Sequence, residues 1–115
     1  MANTFKTITK AGVTTADVIY TVAGSTTTVV LGLMLGNTTG SAITATVTLG
    51  TDTANRAGAN DESNQDVELI TSTSIPANST LELLSGNKVV METTDTLSVT
   101  GSGSTDVALS VMEIT

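Results

Sequence analysis

The carboxylates with the best spacing for chemistry lie in or beside one polar segment, residues 50–65 (GTDTANRAGANDESNQ). Carboxylate and amide oxygens of this segment could hold a calcium ion. The candidate ligands are Asp52, Asn60, Asp61, Glu62, Asn64 and Asp66. Their spacing lacks the fixed offsets of an EF-hand loop. We therefore predict a long, solvated acidic loop, with no metal and no cofactor.

Glu82 and Glu92 are the next candidates, because a pair of carboxylic acids can act as the acid and base of a glycosidase. Their neighbours alternate as strand residues do, which places both side chains on the surface. The chain contains no histidine and no cysteine, so an ordinary serine or cysteine triad cannot be built. We predict that the protein has no catalytic residues and is not an enzyme.

A few side chains could serve binding instead. Phe5 and Tyr20 are the only aromatic residues, and a pair of rings could stack on a sugar, but their strand context predicts core positions. Arg56 could form a bidentate contact with a partner's carboxylate or could be a plain surface residue. The final segment changes its apolar parity near Val111 and Met112, which indicates a bulge or a contact on its outer side. The candidate partner-contact residues are Asn55, Arg56, Asn60, Asp61, Met112 and Ile114.

Strands must position all of these residues. The chain has 25 threonines, which favour pleated strands over helices, and its apolar residues alternate in short runs between turn signals. This pattern predicts a single all-β domain over residues 1–115, an antiparallel, jelly-roll-like β-sandwich of about nine short strands with a long loop at 50–65. The predicted strands are 3–10, 17–22, 28–36, 43–49, 66–74, 81–84, 89–91, 96–100 and 106–115.

Three of these strands carry sharper predictions. The opening strand has Phe5 and Ile8 of opposite parity, which is typical of an edge strand or a bulge. Segment 17–22 would place Val18, Tyr20 and Val22 on one face. Segment 28–36 (TVVLGLMLG) is apolar at both parities, which predicts a strand buried on both sides.

Charge and hydropathy exclude two classes of partner. The net charge of −7 lacks the basic footprint of a nucleic-acid binder. No run of about eighteen apolar residues occurs, and the start MANTFKTITKAG lacks the apolar core of a signal peptide, so we expect no membrane contact and assembly in the cytoplasm. The scarcity of aromatic side chains limits burial within one copy, which favours a homo-oligomer.

The run IPANSTLELLSGNKVVME (75–92) carries a resemblance to a known family. Together with Asp95, the closing run VALSVMEI (107–114) and the upstream strands 29–36 and 43–49, it resembles small virion structural proteins of tailed bacteriophages, particularly marine ones. The resemblance spans most of the chain, although residues 51–65 have no clear counterpart in it. Its motifs carry no catalytic residues.

This resemblance implies a β-sandwich subunit that is present in many copies on the particle. Its partners would be the major capsid protein or other virion proteins, and its location the virion, after assembly in the host cytoplasm. A capsid decoration or cement protein fits first, as a homo-oligomer with a trimer favoured. A neck, tail or baseplate component is the alternative, and a receptor- or glycan-binding module is the third.

Overall fold

The computed structural model describes residues 2–51, 65–84 and 87–115 of the chain. These residues form nine strands: β1 (Asn3–Val13), β2 (Asp17–Thr21), β3 (Thr27–Asn37), β4 (Ile43–Gly50), β5 (Asp66–Ile75), β6 (Thr80–Leu83), β7 (Val89–Met91), β8 (Thr96–Gly101) and β9 (Thr105–Ile114). Four of the strands, β1, β3, β5 and β9, run for ten or eleven residues, longer than the short strands expected.

The strands pair antiparallel in two sheets. Sheet A has the order β1-β9-β3-β6, and β7 pairs with β3 beside β6, while sheet B has the order β2-β8-β4-β5. When β6 and β7 are taken as two halves of one edge strand, these orders are those of a jelly roll, in which the chain passes between the two layers at every connection except that from β4 to β5. The predicted all-β, jelly-roll-like sandwich is confirmed.

The core lies between the two sheets and is built from aliphatic side chains. Each sheet contributes alternate residues, as the pleat requires, such as Val107, Leu109 and Val111 from β9 and Leu97 and Val99 from β8. The largest fully buried side chains also include Leu33, Leu35, Ile75, Met91, Val22, Val30 and Val47.

Strand β3 is buried on one face only, so the prediction of burial on both sides was wrong. Val30, Leu33 and Leu35 point into the core, whereas Met34 is 45% exposed. The register of β3 against β9 shifts between Val30 and Gly32, and this bulge moves the buried set from one parity to the other. The other side of β3 belongs to the outer face of a two-layer sandwich.

A second bulge corrects the predicted face of β2. The register against β8 shifts between Val18 and Tyr20, so Val18 is 53% exposed, while Val22 is buried and Tyr20 packs against the core. The prediction that Val18 shares a face with Tyr20 and Val22 was therefore wrong.

The edge strands are irregular or carry charge. Strand β1 is the edge strand predicted from its parity, and its pairing with β9 shifts between Lys10 and Val13, where Gly12 has a φ of 68°. Lys6 and Lys10 pair with Glu113 and Asp17 at N–O distances of 2.8 and 3.3 Å. Strand β5 is bulged against β4, and Ser72 within it has a φ of 44°.

Buried polar side chains fix the turns of the run that carries the resemblance. Asn37 is 3% exposed, and its Nδ2 donates to the carbonyl oxygens of Ile75 and Pro76 at 3.0 and 3.1 Å. Asp95 is fully buried, and its Oδ2 accepts a hydrogen bond from the amide of Glu92 at 2.9 Å. These residues hold the connections on either side of β6 and β7 in place.

Candidate interaction surface

The side chains of sheet A that point away from sheet B form its outer face, and one row across this face is apolar. Phe5, Met112, Val29 and Val90 are successive cross-strand neighbours on β1, β9, β3 and β7. Phe5 is 71% exposed and Val90 is 50% exposed, while Met112 and Val29 are half-buried. We call these four residues the apolar row.

Strand alternation explains why the apolar row faces outward. On β1, Ile8 packs against the core, so Phe5, of the opposite parity, must point away from it. On β7, Met91 is fully buried, so Val90 turns outward. The row therefore follows from the register that buries the core.

The apolar surface continues along the strands. Met34 and Ala108 are cross-strand neighbours on this face. A shallow groove of about 350 Å³ lies around Met34 and Ala108, at the end of the face away from the apolar row. It is lined by Thr9, Lys10, Ala11, Met34, Gly36, Thr80, Asp106, Val107 and Ala108. Glu82 of β6 and Asp106 of β9 are acidic residues of this face that lie toward the end with Met34 and Ala108, away from the apolar row, whereas Glu92 lies two residues after Val90.

A polar network lies directly behind the apolar row. The Tyr20 hydroxyl donates to Glu113 Oε2 at 2.5 Å, and Lys6 Nζ lies 2.8 Å from Glu113 Oε1. The Tyr20 oxygen is also 2.8 Å from Thr28 Oγ1, which donates because the one phenolic proton goes to Glu113. Lys6, Glu113 and Thr28 are the chain neighbours of Phe5, Met112 and Val29, so the network fixes the strands that carry the row.

The network shifts two pKa values. Burial, reinforced by the hydrogen bond to Glu113, raises the pKa of Tyr20 to about 12. The hydrogen bond from Lys6, followed by that from Tyr20, lowers the pKa of the Glu113 carboxyl. A neutral phenol and an ionised carboxylate are therefore the stable forms, and the arrangement holds strands together without offering a free acid or base.

The predicted partner-contact residues fall into two groups. Met112 belongs to the apolar row, and Ile114, two residues along β9, lies on the same face and is half-buried. Asn55, Arg56, Asn60 and Asp61 lie outside the described residues. The ends of their segment are joined, since the Thr51 amide and hydroxyl both donate to the carbonyl oxygen of Gln65.

Phe5 and Val90 are the surface residues that sequence reasoning missed. The core position predicted for Phe5 was wrong, whereas that of Tyr20 is confirmed by its packing against the core. The opposite parities of Phe5 and Ile8 were the signal, because only one of them can face inward on a regular strand. For Val90, the signal was an uninterrupted apolar triplet, which cannot all be buried by one layer.

The other candidate chemistry finds little support in the geometry. Glu82 is exposed and Glu92 half-buried. Of the candidate calcium ligands, Asp66 is exposed at the start of β5, and the others lie outside the described residues. Over residues 2–51, 65–84 and 87–115, no group of three or more His, Cys, Asp or Glu side chains is placed to hold a metal ion.

The outer face of sheet B has a different composition. Most of its cross-strand neighbours on β2, β8 and β4 are threonine and serine, as in the pairs of Thr48 with Ser98, Thr46 with Thr100 and Thr21 with Thr96, and Glu68 of β5 lies opposite Thr48. Val18 is the large apolar side chain exposed on this face. Thr44, Thr46 and Thr48 of β4 form a ladder on this face.

Comparisons with known proteins assign no family. No protein-family model matches the chain, and no curated protein sequence matches it. Among solved structures, the chain is similar to a chain from Bacillus endospore appendages, described as a family of disulfide-linked pili, with 16% identity, a TM-score of 0.47, and coverage of 99% of this chain and 87% of that chain. At this identity and TM-score the similarity supports no argument about function. No helix in the described part of the chain is long and apolar enough to cross a membrane.

Proposed function

We propose that the protein is a non-enzymatic structural protein of a tailed-phage virion, and that it decorates the outside of the major capsid shell and stabilises it. It reaches the virion after assembly in the host cytoplasm. The observation that carries the proposal is the contrast between the apolar row on the outer face of sheet A and the threonine- and serine-rich outer face of sheet B. Such a subunit can bury its apolar side chains between copies of a homo-oligomer on the particle and expose its threonine-rich face to the medium.

The resemblance to phage virion proteins is the reason for placing the protein in a virion. The run 75–92 builds the end of β5, then β6 and β7, and so forms one edge of sheet A. Its residues act structurally here: Ile75 is buried and the Pro76 carbonyl oxygen accepts a hydrogen bond from Asn37. The resemblance therefore concerns how the subunit is built.

The copy number of the chain in purified particles tests the proposal. Quantitative mass spectrometry of whole virions should find this chain in a number comparable with the major shell protein. A handful of copies would instead favour the neck, tail or baseplate alternative, because ring symmetry sets a low number there. Absence from the particle would refute both.

Re-binding gives an independent check on the shell contact. Shells that lack the chain should take up the purified protein to a saturating ratio and should then withstand a higher temperature, because a ligand that binds the intact state stabilises it. A matched sample with an unrelated acidic protein controls for non-specific adsorption. Uptake without saturation would contradict a specific decoration site.

Glycan binding is the third possibility, and one of the two aromatic side chains that could stack on a sugar is not available for this. Tyr20 packs against the core and its hydroxyl is engaged by Glu113 and Thr28, so its ring is not presented to a sugar. Phe5 alone remains exposed. A single ring without convergent polar groups is a poor sugar site.

A further inference from the structure

We propose that the outer face of sheet A is the contact between two copies of this chain, which pack sheet on sheet about a two-fold axis parallel to the strands. The contact rests on the register and composition of this face, and it does not depend on the virion role proposed above. It replaces the favoured trimer with a dimer.

The area of the face fits a stable dimer. Strands of ten or eleven residues and a width of four strands give a face of roughly 35 by 19 Å, from a rise of about 3.3 Å per residue and a spacing of about 4.8 Å. Two such faces would bury roughly 1,300 Å² in total, which lies within the range of about 1,200–2,000 Å² for specific interfaces.

The charge distribution selects the same face. The chain carries a net charge of −7, so two copies repel each other over most approaches. On the outer face of sheet A, the neighbours of the apolar row along β1, β9 and β3 are uncharged, Lys88 and Glu92 flank Val90 along the chain with opposite charges, and Glu82 and Asp106 lie toward the other end. Two copies can meet here without bringing carboxylates together at the centre of the contact.

The register makes the face complementary to itself. A two-fold axis parallel to the strands reverses the strand order and keeps each row level, so β1 lies over the partner's β6 and β7, and β9 lies over its β3. Phe5 then faces a valine at position 90, and Met112 faces a valine at position 29.

The same operation pairs large with small residues along the rest of the face. Met34 meets alanine at position 108, and Ile114 meets threonine at position 27. Glu82 meets threonine at position 9, and Asp106 meets glycine at position 36, so carboxylates do not face each other directly. Faces that alternate large and small residues can interdigitate as the layers of a sandwich do.

Sedimentation of the full chain with two matched variants tests the contact. The wild-type protein should have twice the monomer mass of 11.6 kDa. Val90→Asp should weaken association by at least about a hundredfold, because it buries an unpaired charge in the interface. Val18→Asp, at a similarly exposed valine of sheet B, should leave the mass unchanged, with 53% exposure for Val18 against 50% for Val90.

A cysteine pair tests the two-fold geometry separately. The wild-type chain has no cysteine, so Phe5→Cys with Val90→Cys introduces the sole thiols. Within one copy, these positions are three strand spacings apart, about 14 Å, which is too far for a disulfide. Oxidation with diamide should therefore give covalent dimers, whereas Val18→Cys with Glu68→Cys, which are also three strand spacings apart on sheet B, should give none at the same protein concentration.

Several outcomes would overturn the proposal. These are a wild-type monomer across the concentration range, a trimer mass, equal effects of Val90→Asp and Val18→Asp, or equal cross-linking of the two cysteine pairs. Far-UV circular dichroism of each variant must match that of the wild type, and the cysteine pair decides the outcome if Val90→Asp fails to fold. The virion copy number is unaffected by these results, so the failure of one proposal is distinguishable from the failure of the other.

Discussion

The outer faces of sheets A and B are built on the same pleat but have opposite character. On sheet B, most cross-strand neighbours of β2, β8 and β4 are threonine or serine, whereas on sheet A, phenylalanine, methionine and valine stand in one row. Valine and threonine differ little in shape, and both suit a strand. Folding alone therefore does not require the apolar row, and its composition agrees with the contact proposed above between two copies.

Replacing apolar residues on the outer face of sheet A with the serine and threonine typical of sheet B should have the largest effect, and this effect is on the association of two copies. We expect Phe5→Ser with Val90→Thr and Met112→Thr to cost about 4 kcal/mol of association, or about a thousandfold in Kd, since each side chain loses part of its burial. A dilution series in the analytical ultracentrifuge measures this change. Val18→Thr on sheet B is the matched control. An unchanged Kd for the triple variant would show that the apolar row does not contribute to association.

Two adjacent residues of β3 allow the contributions of the inner and outer faces of sheet A to folding stability to be compared. Leu33 is fully buried and Met34 is 45% exposed. Leu33→Ala should lower the free energy of unfolding by about 3 kcal/mol through the lost burial and the cavity, and Met34→Ala by less than about 1 kcal/mol. Urea denaturation at concentrations that keep the chain monomeric gives both values. Similar losses would mean that Met34 is also needed for folding.

Gly101 of sheet B and Gly32 of sheet A differ in the space that surrounds an added Cβ atom. A Cβ at Gly101 of β8 would lie 2.8 Å from the Gly103 carbonyl oxygen and 2.9 Å from that of Val13, whereas a Cβ at Gly32 of β3 meets nothing within 4 Å. Gly101→Ala should destabilise the fold by about 1–3 kcal/mol. Gly32→Ala should be neutral or stabilise it by up to about 1 kcal/mol, since the unfolded chain loses freedom. Thermal melts would reveal the difference, and equal shifts in Tm would contradict it.

The network behind the apolar row should produce a smaller, pH-dependent effect. The folded state holds the Tyr20 proton up to a pKa of about 12, whereas the unfolded state releases it near the ordinary value of 10.0. The folded state therefore binds more protons between these values, and the free energy of unfolding should fall as pH rises from about 10 to about 12. Tyr20→Phe should lack this slope, and an identical slope in both proteins would assign the titration to another group.

The alternation of apolar residues was sufficient to predict the sandwich, and it was insufficient to predict which faces are exposed. The strand boundaries and the edge position of β1 follow from local patterns. The bulges next to Leu31 and Ile19 depend on pairing between strands distant in sequence, and each reverses the parity of the residues that follow. Val18 and Met34 were misplaced for that reason.

The candidate surface was predictable only in part. Met112 and Ile114 were predicted as contact residues from the parity change in the last strand, and they lie on the outer face of sheet A. Phe5 and Val90 join them through the register of β1 and β7, which a single sequence does not specify. The loop residues Asn55, Arg56, Asn60 and Asp61 lie outside the described residues and stay a prediction.

The irregular sheet edges limit how copies of this chain can grow into larger structures. A long, regular edge would recruit further strands end after end, as in amyloid. In sheet A, the edge strand β1 carries Lys6 and Lys10, and the opposite edge is divided between β6 and β7. In sheet B, the edge strand β5 is bulged, and Ser72 within it has a positive φ. Addition of strands is thus disfavoured, and association through a face that is consumed when two copies meet stops at a finite size. The molecule can therefore be present at high local concentration without forming fibres.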